Sequence, residues 1–167
     1  MAICLNTKST YNLFQMLVND TFFVDKSAII EKLSARINTP NRYICITKPR
    51  RFGKTSVLNM LGAYYCKAYD SKVLFDGLKI AKTAAYAAHL NQYNVVHLSM
   101  NSIPDDGNAY EDYMKLFKNA IRRDILEAYP QLKEQEFNSL SEMLVATDKQ
   151  FIFIIDEWDY IFSHELY

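Results

Sequence analysis

Residues 43–61 read YICITKPRRFGKTSVLNML. Five β-prone residues, Tyr43 to Thr47, run into a basic, proline-containing turn, then Gly53-Lys54-Thr55, then a stretch with helical spacing. A short apolar run without polar alternation is the mark of a strand covered on both faces, as in a parallel sheet flanked by helices. A tight turn leading directly into a helix gives that strand a helix to cross over with, so the stretch predicts an α/β unit. The turn also bears chemistry. A helix N-terminus offers unpaired N–H groups and the positive end of its dipole, and a glycine there lets the backbone come close to an anion.

The full phosphate-loop pattern is glycine, four residues, then Gly-Lys-Ser/Thr. The window here is Lys48-Pro49-Arg50-Arg51-Phe52-Gly53-Lys54-Thr55. Its last three positions match. Lys54 would reach the β- and γ-phosphates, and the Thr55 hydroxyl would ligate Mg²⁺. Arg51, Phe52, Gly53, Lys54, Thr55 and Ser56 are therefore the candidate nucleotide-binding residues. Lys48 stands where the first glycine is expected. Pro49 pushes its predecessor toward extended geometry, so a side chain at Lys48 is tolerable there. On Gly-Lys-Thr alone, a phosphate loop and a basic turn without a ligand stand level.

A second stretch favours the nucleotide reading. Nucleotide hydrolases of this kind place a carboxylate at the end of an apolar strand, where it holds magnesium, and a following glutamate polarises the attacking water. FIFIIDE, residues 151–157, supplies the strand, then Asp156 as the metal-side carboxylate and Glu157 as the catalytic one. Acidic residues at a strand end often only face solvent. Two such motifs, each at the end of an apolar strand, weigh toward nucleotide binding.

The rest of the chain fits one α/β domain. It has 167 residues, half of them hydrophobic, enough for a packed core. The formal net charge is zero, so no whole-chain field argues for nucleic acid. Cys4, Cys45 and Cys66 have no paired spacing and read as free thiols in a reducing, cytoplasmic setting. His89, His97 and His164 lack ligand spacing. No apolar run approaches the ~20 residues of a membrane span, and no signal-peptide core is present at the N-terminus. Residues 1–20 read as an arm ahead of a domain over 21–167. Helices are expected after Asp25 or Ser27, either of which could cap, and over 54–67, 83–91, 109–129 and 137–146; strands over 43–47, 95–100 and 151–155. Tyrosines at 64–69 and 110–113 could stack on bases, but their helical spacing suits core packing better.

The stretches FFVDK, YICITKPRRFGKTSVLNML, LFDGLKI and FIFIIDEWD together resemble the AAA-ATPase-like family of bacterial proteins. Its members usually read Tyr-x-Val-Asp-Lys, Arg-Pro-Arg-Arg-Phe-Gly-Lys-Ser, Leu-Phe-x-Gly-Leu and Ile-Asp-Glu-Tyr-Asp. A basic residue replaces the first loop glycine in that pattern, so Lys48 fits it. The resemblance implies a P-loop NTPase fold, a mainly parallel three-layer α/β/α sheet, with ATP and Mg²⁺ as its ligands. It carries Gly53, Lys54 and Thr55 onto phosphate-binding positions, and Asp156 and Glu157 onto the magnesium and water-activating ones. Asp25, Lys26, Arg50, Arg51 and Asp159 fall on recurrent positions without an assigned role. The two arginines could meet phosphate, a neighbouring subunit of a homo-oligomer, or solvent.

The resemblance also implies more than these residues. In the additional-strand class of P-loop ATPases a further strand lies between the two motif strands, and nothing after Tyr167 supplies one. Family members usually continue into a domain resembling PD-(D/E)XK nucleases, which would bring nucleic acid as a partner. The chain is therefore expected to be the front portion of an ATPase, truncated after the Walker B strand and inactive by itself. The competing expectation is a non-catalytic interaction module offering a basic loop to an anionic partner.

Overall fold

The computed structural model describes residues 3–47, 49, 51–101 and 110–160. The chain divides into two compact units, Lys8–Tyr93 and the combination of Met1–Thr7 with Asn94–Tyr167.

The first unit is helical: α1 (Ser9–Val18), α2 (Ala28–Ser34), α3 (Lys54–Tyr65), α4 (Lys72–Phe75), a 3-10 turn at Lys79–Lys82, and α5 (Ala84–His89). Its axis is α3, which buries every residue from Asn59 to Tyr65. Gly62 lets α1 approach closely, since a Cβ there would lie 2.8 Å from Thr10 Cβ. The α1 residues belong to the stretch read as an arm, and Phe14 from them stacks on Phe75 at 5.0 Å. Tyr64 meets the edge of Phe75, and its hydroxyl donates to the Ala85 carbonyl at 2.9 Å. The Tyr65 hydroxyl pairs with Ser34 Oγ at 2.9 Å. These two tyrosines pack the core, with their polar tips satisfied, as buried tyrosines require. Tyr110 and the 102–109 loop before it, by contrast, offer no test of base stacking, because residues 102–109 and the side chains of Tyr110 and Tyr113 lie outside the described residues.

The second unit holds two parallel strands, β1 (Asn94–Ser99) and β2 (Phe151–Asp156), in register from Asn94 opposite Phe151 to Ser99 opposite Asp156. A parallel pair needs a long crossover. Here it contains α6 (Tyr110–Ala128), a 3-10 turn at Pro130–Leu132 and α7 (Leu140–Ala146). Val96 and Leu98 of β1 bury against Phe117, Ile121 and Ile125 of α6 and Met143 of α7. On its other edge β1 bridges antiparallel to Leu5. The N–H groups of Ile3, Cys4 and Leu5 all donate to Oδ2 of buried Asp124, at 2.8, 2.6 and 3.1 Å. One α6 carboxylate thus fixes the segment that lies along β1.

A mixed α/β architecture with a small parallel sheet is present. One expected element is absent from the described residues. Residues 42–47 carry no regular secondary structure, and the sheet of the described residues has two strands. Tyr43 is 83% exposed, its ring lying under the Arg42 guanidinium at 5.2 Å. The reason is physical. A strand is held by its ladder and by cover on its faces, and an apolar run with neither has no advantage over an irregular path. Helix α7 also starts later than the periodicity suggests. Ser139 caps it by accepting from the Glu142 N–H, while Glu142 reaches back to the Asn138 N–H. That reciprocal pair is a capping box shifted by one residue.

Candidate phosphate-binding site

The turn before α3 is built from backbone conformations that side chains rarely adopt. The Phe52 N–H donates to the Pro49 carbonyl at 3.4 Å, and Arg51 sits at φ 67°. A left-handed non-glycine residue carries strain of about 1–3 kcal/mol and points to a constrained, often functional, loop. Gly53 follows at φ 74°, ψ 36°, as the N-cap of α3. The first bond of the helix runs from the Val57 N–H to the Gly53 carbonyl. The N–H groups ahead of Val57 therefore have no acceptor within the helix. No side chain caps this end, and no acidic residue occupies its first turn. The positive end of a helix dipole in this state suits an anion.

The candidate side chains are graded in exposure. Arg51, Phe52 and Thr55 are exposed, while Gly53, Lys54 and Ser56 are half-buried. Phe52, 61% exposed, belongs to the loop surface and not to the core. Lys48 and Arg50 lie outside the described residues.

A residue that the sequence flagged without a role sits at the same place. Lys26 Nζ donates to the Phe52 carbonyl at 3.4 Å. A Cβ built on Gly53 would lie 3.1 Å from that ammonium. The preceding residue anchors this segment. Asp25 accepts from the Ser27 N–H and the Lys79 N–H, both at 2.8 Å. Burial pushes the Asp25 carboxyl up, but the Ser27 hydroxyl and N–H, the Lys79 N–H and the Lys79 charge outweigh it and hold it below 3.8. Ser27 was a candidate helix cap, yet its Oγ instead accepts the Ile80 N–H at 3.1 Å, and α2 starts without a side-chain cap. The Val-Asp-Lys and Leu-Phe-Asp-Gly-Leu-Lys-Ile stretches are thus tied together beside the loop. A cleft of about 180 Å³ opens here, lined by Phe14, Phe22, Phe23 and Met60 among apolar residues, with Lys26 and Ser56 as its polar lining.

Asp156 and Glu157 belong to the other unit, at the C-terminal end of β2. Asp156 is buried, and its Oδ1 accepts the Glu157 N–H at 3.0 Å. Its carbonyl takes the Met100 N–H at 3.0 Å, which locks the strand end. Glu157 is exposed and left-handed at φ 53°, so the chain turns sharply straight after the buried carboxylate. On the same sheet, burial pushes the His97 pKa down, with the Asp156 charge working in the opposite direction.

A family model described as a predicted AAA-ATPase matches residues 10–166. The chain belongs to the AAA-ATPase-like family. No curated protein and no solved structure matches it. Membership supports a general ATPase-like function and nucleotide binding for the chain. The match includes α1, so the residues read as an arm contribute to the family region from residue 10 onward. Among the described residues no helix is long and apolar enough to cross a membrane.

Proposed function

We propose that this chain binds MgATP at the Gly53–Ser56 turn and that Asp156 and Glu157 support its hydrolysis. The observation that carries the reading is the start of α3. A left-handed glycine, an uncapped helix end and a lysine as the first helical residue occur together, in a chain of a family of predicted ATPases. The Gly53 backbone and the first-turn N–H groups would receive phosphate oxygens, and Lys54 would supply the charge. Arg51 and Phe52 shape the entry to the turn, and Ser56 lies one residue past the metal-side hydroxyl.

Thr55 and Asp156 each carry a hard oxygen of the kind Mg²⁺ prefers and would be its protein ligands, with phosphate and water supplying the rest. When bound, the cation would neutralise charge developing on the transferred phosphoryl group. Glu157, exposed and free of the ladder, would take the proton of the attacking water.

Two variants separate binding from chemistry. Glu157→Gln should keep MgATP affinity and lower turnover by about 10²–10⁴-fold, the range for loss of a general base. Asp156→Asn should weaken magnesium-dependent binding instead. Wild-type turnover in Glu157→Gln would remove Glu157 from the mechanism.

A further inference from the structure

Lys26 lies far from the loop in sequence and next to it in space. Glycine is required at position 53 in part because the open face of its Cα lets a phosphate come close. The Lys26 ammonium stands at that face, 3.1 Å from where a Cβ would be. Its tether there is weak, a single 3.4 Å bond to the Phe52 carbonyl on the exposed surface. An ammonium has three donors, so two remain for other acceptors. Among the described residues, no carboxylate forms an ion pair with Lys26. The backbone beneath it is nevertheless held, because Asp25 is clamped by the Ser27 and Lys79 N–H groups. A positioned cation without a counter-ion among the described residues, at the face of a phosphate-loop glycine, is arranged for an anion.

We propose that Lys26 is a second phosphate-binding cation of this site, acting with Lys54 on the polyphosphate chain of the nucleotide. The inference rests on the nucleotide reading above. In the free protein the Phe52 carbonyl holds the ammonium in place; with nucleotide bound, its remaining donors take phosphate oxygens. Charge-assisted hydrogen bonds of this kind exceed neutral ones about twofold in strength.

Calorimetric titration of the full chain with MgATP tests this on Lys26→Ala, Lys26→Gln, Lys26→Arg and Lys54→Ala. Glutamine keeps an N–H donor but carries no charge. Lys26→Ala and Lys26→Gln should both lose about tenfold to a hundredfold in affinity, with Lys26→Arg retaining most of it. Melting temperatures of all three should match wild type, since the tether is exposed. If Lys26→Gln binds as wild type does, Lys26 only pins the loop, and the proposal falls. If Lys26→Ala and Lys26→Gln bind normally while Lys54→Ala has lost binding, the proposal falls and the nucleotide reading stands. If wild type itself binds no MgATP, both fall together.

Discussion

Replacing Gly53 with alanine separates the two demands on that residue. The first is conformational. At φ 74°, ψ 36° an L-residue is left-handed, and the strain is about 1–2 kcal/mol. For a chain of this length that corresponds to roughly 2–8 °C in melting temperature. Sterics add little in the free protein. The new Cβ would meet Lys26 Nζ at 3.1 Å, the far end of a flexible side chain, and Ser56 only at 3.9 Å. The second demand comes with the ligand. The methyl group would occupy the face at which phosphate approaches, displacing at least one charge-assisted hydrogen bond of about 1.5–3 kcal/mol. Binding of MgATP should therefore fall by about tenfold to a hundredfold or more, while the protein stays folded at assay temperature. Gly77→Ala is the control, because a Cβ there meets nothing within 4 Å. Differential scanning calorimetry gives the first quantity and titration calorimetry the second. A folded Gly53→Ala protein that binds MgATP as tightly as wild type would refute the argument that the glycine face receives phosphate.

Two further expectations concern the scaffold. Asp124→Ala leaves three N–H groups, of Ile3, Cys4 and Leu5, without their shared acceptor; it should destabilise the chain by roughly 3 kcal/mol or more in urea unfolding, and Asp124→Asn by less, since one acceptor oxygen remains. An alanine variant within about 0.5 kcal/mol of wild type would show that the latch is dispensable. The Asp25 carboxyl is held below its ordinary 3.8, so its contribution is present above that pH and is lost as pH falls through the folded value. The stability difference between wild type and Asp25→Asn, measured by unfolding at a series of acidic pH values, should accordingly shrink as pH falls below 3.8 and through the folded value; a pH-independent difference would contradict the assigned hydrogen bonds.

What could be read from the sequence was what is local. Gly53-Lys54-Thr55 and the FIFIIDE run each carry their meaning within a few residues, and α3 and β2 lie where periodicity and apolar runs put them. α6 ends where Pro130 requires. The failure at 43–47 has the opposite origin. Apolar β-branched character states what a segment would do with neighbours, and the ladder that would make it a strand is a tertiary fact. Lys26 beside Gly53 and Asp124 beneath Cys4 are tertiary in the same sense, because no spacing rule links residues so far apart. Ser27 shows the competition directly: its hydroxyl satisfies Ile80 across the fold and leaves its own helix uncapped.

In the proposed function the turn before α3 receives the phosphates of a nucleotide. Titration calorimetry with MgATP on wild type, Lys54→Ala and Lys32→Ala addresses it most directly; Lys32 is an exposed cation on α2 and serves as the charge control. Saturable binding is expected of wild type and of Lys32→Ala, and none in the same concentration range of Lys54→Ala. Equal affinity in Lys54→Ala and wild type would contradict it, and would leave the basic turn as a surface feature with no nucleotide at its centre.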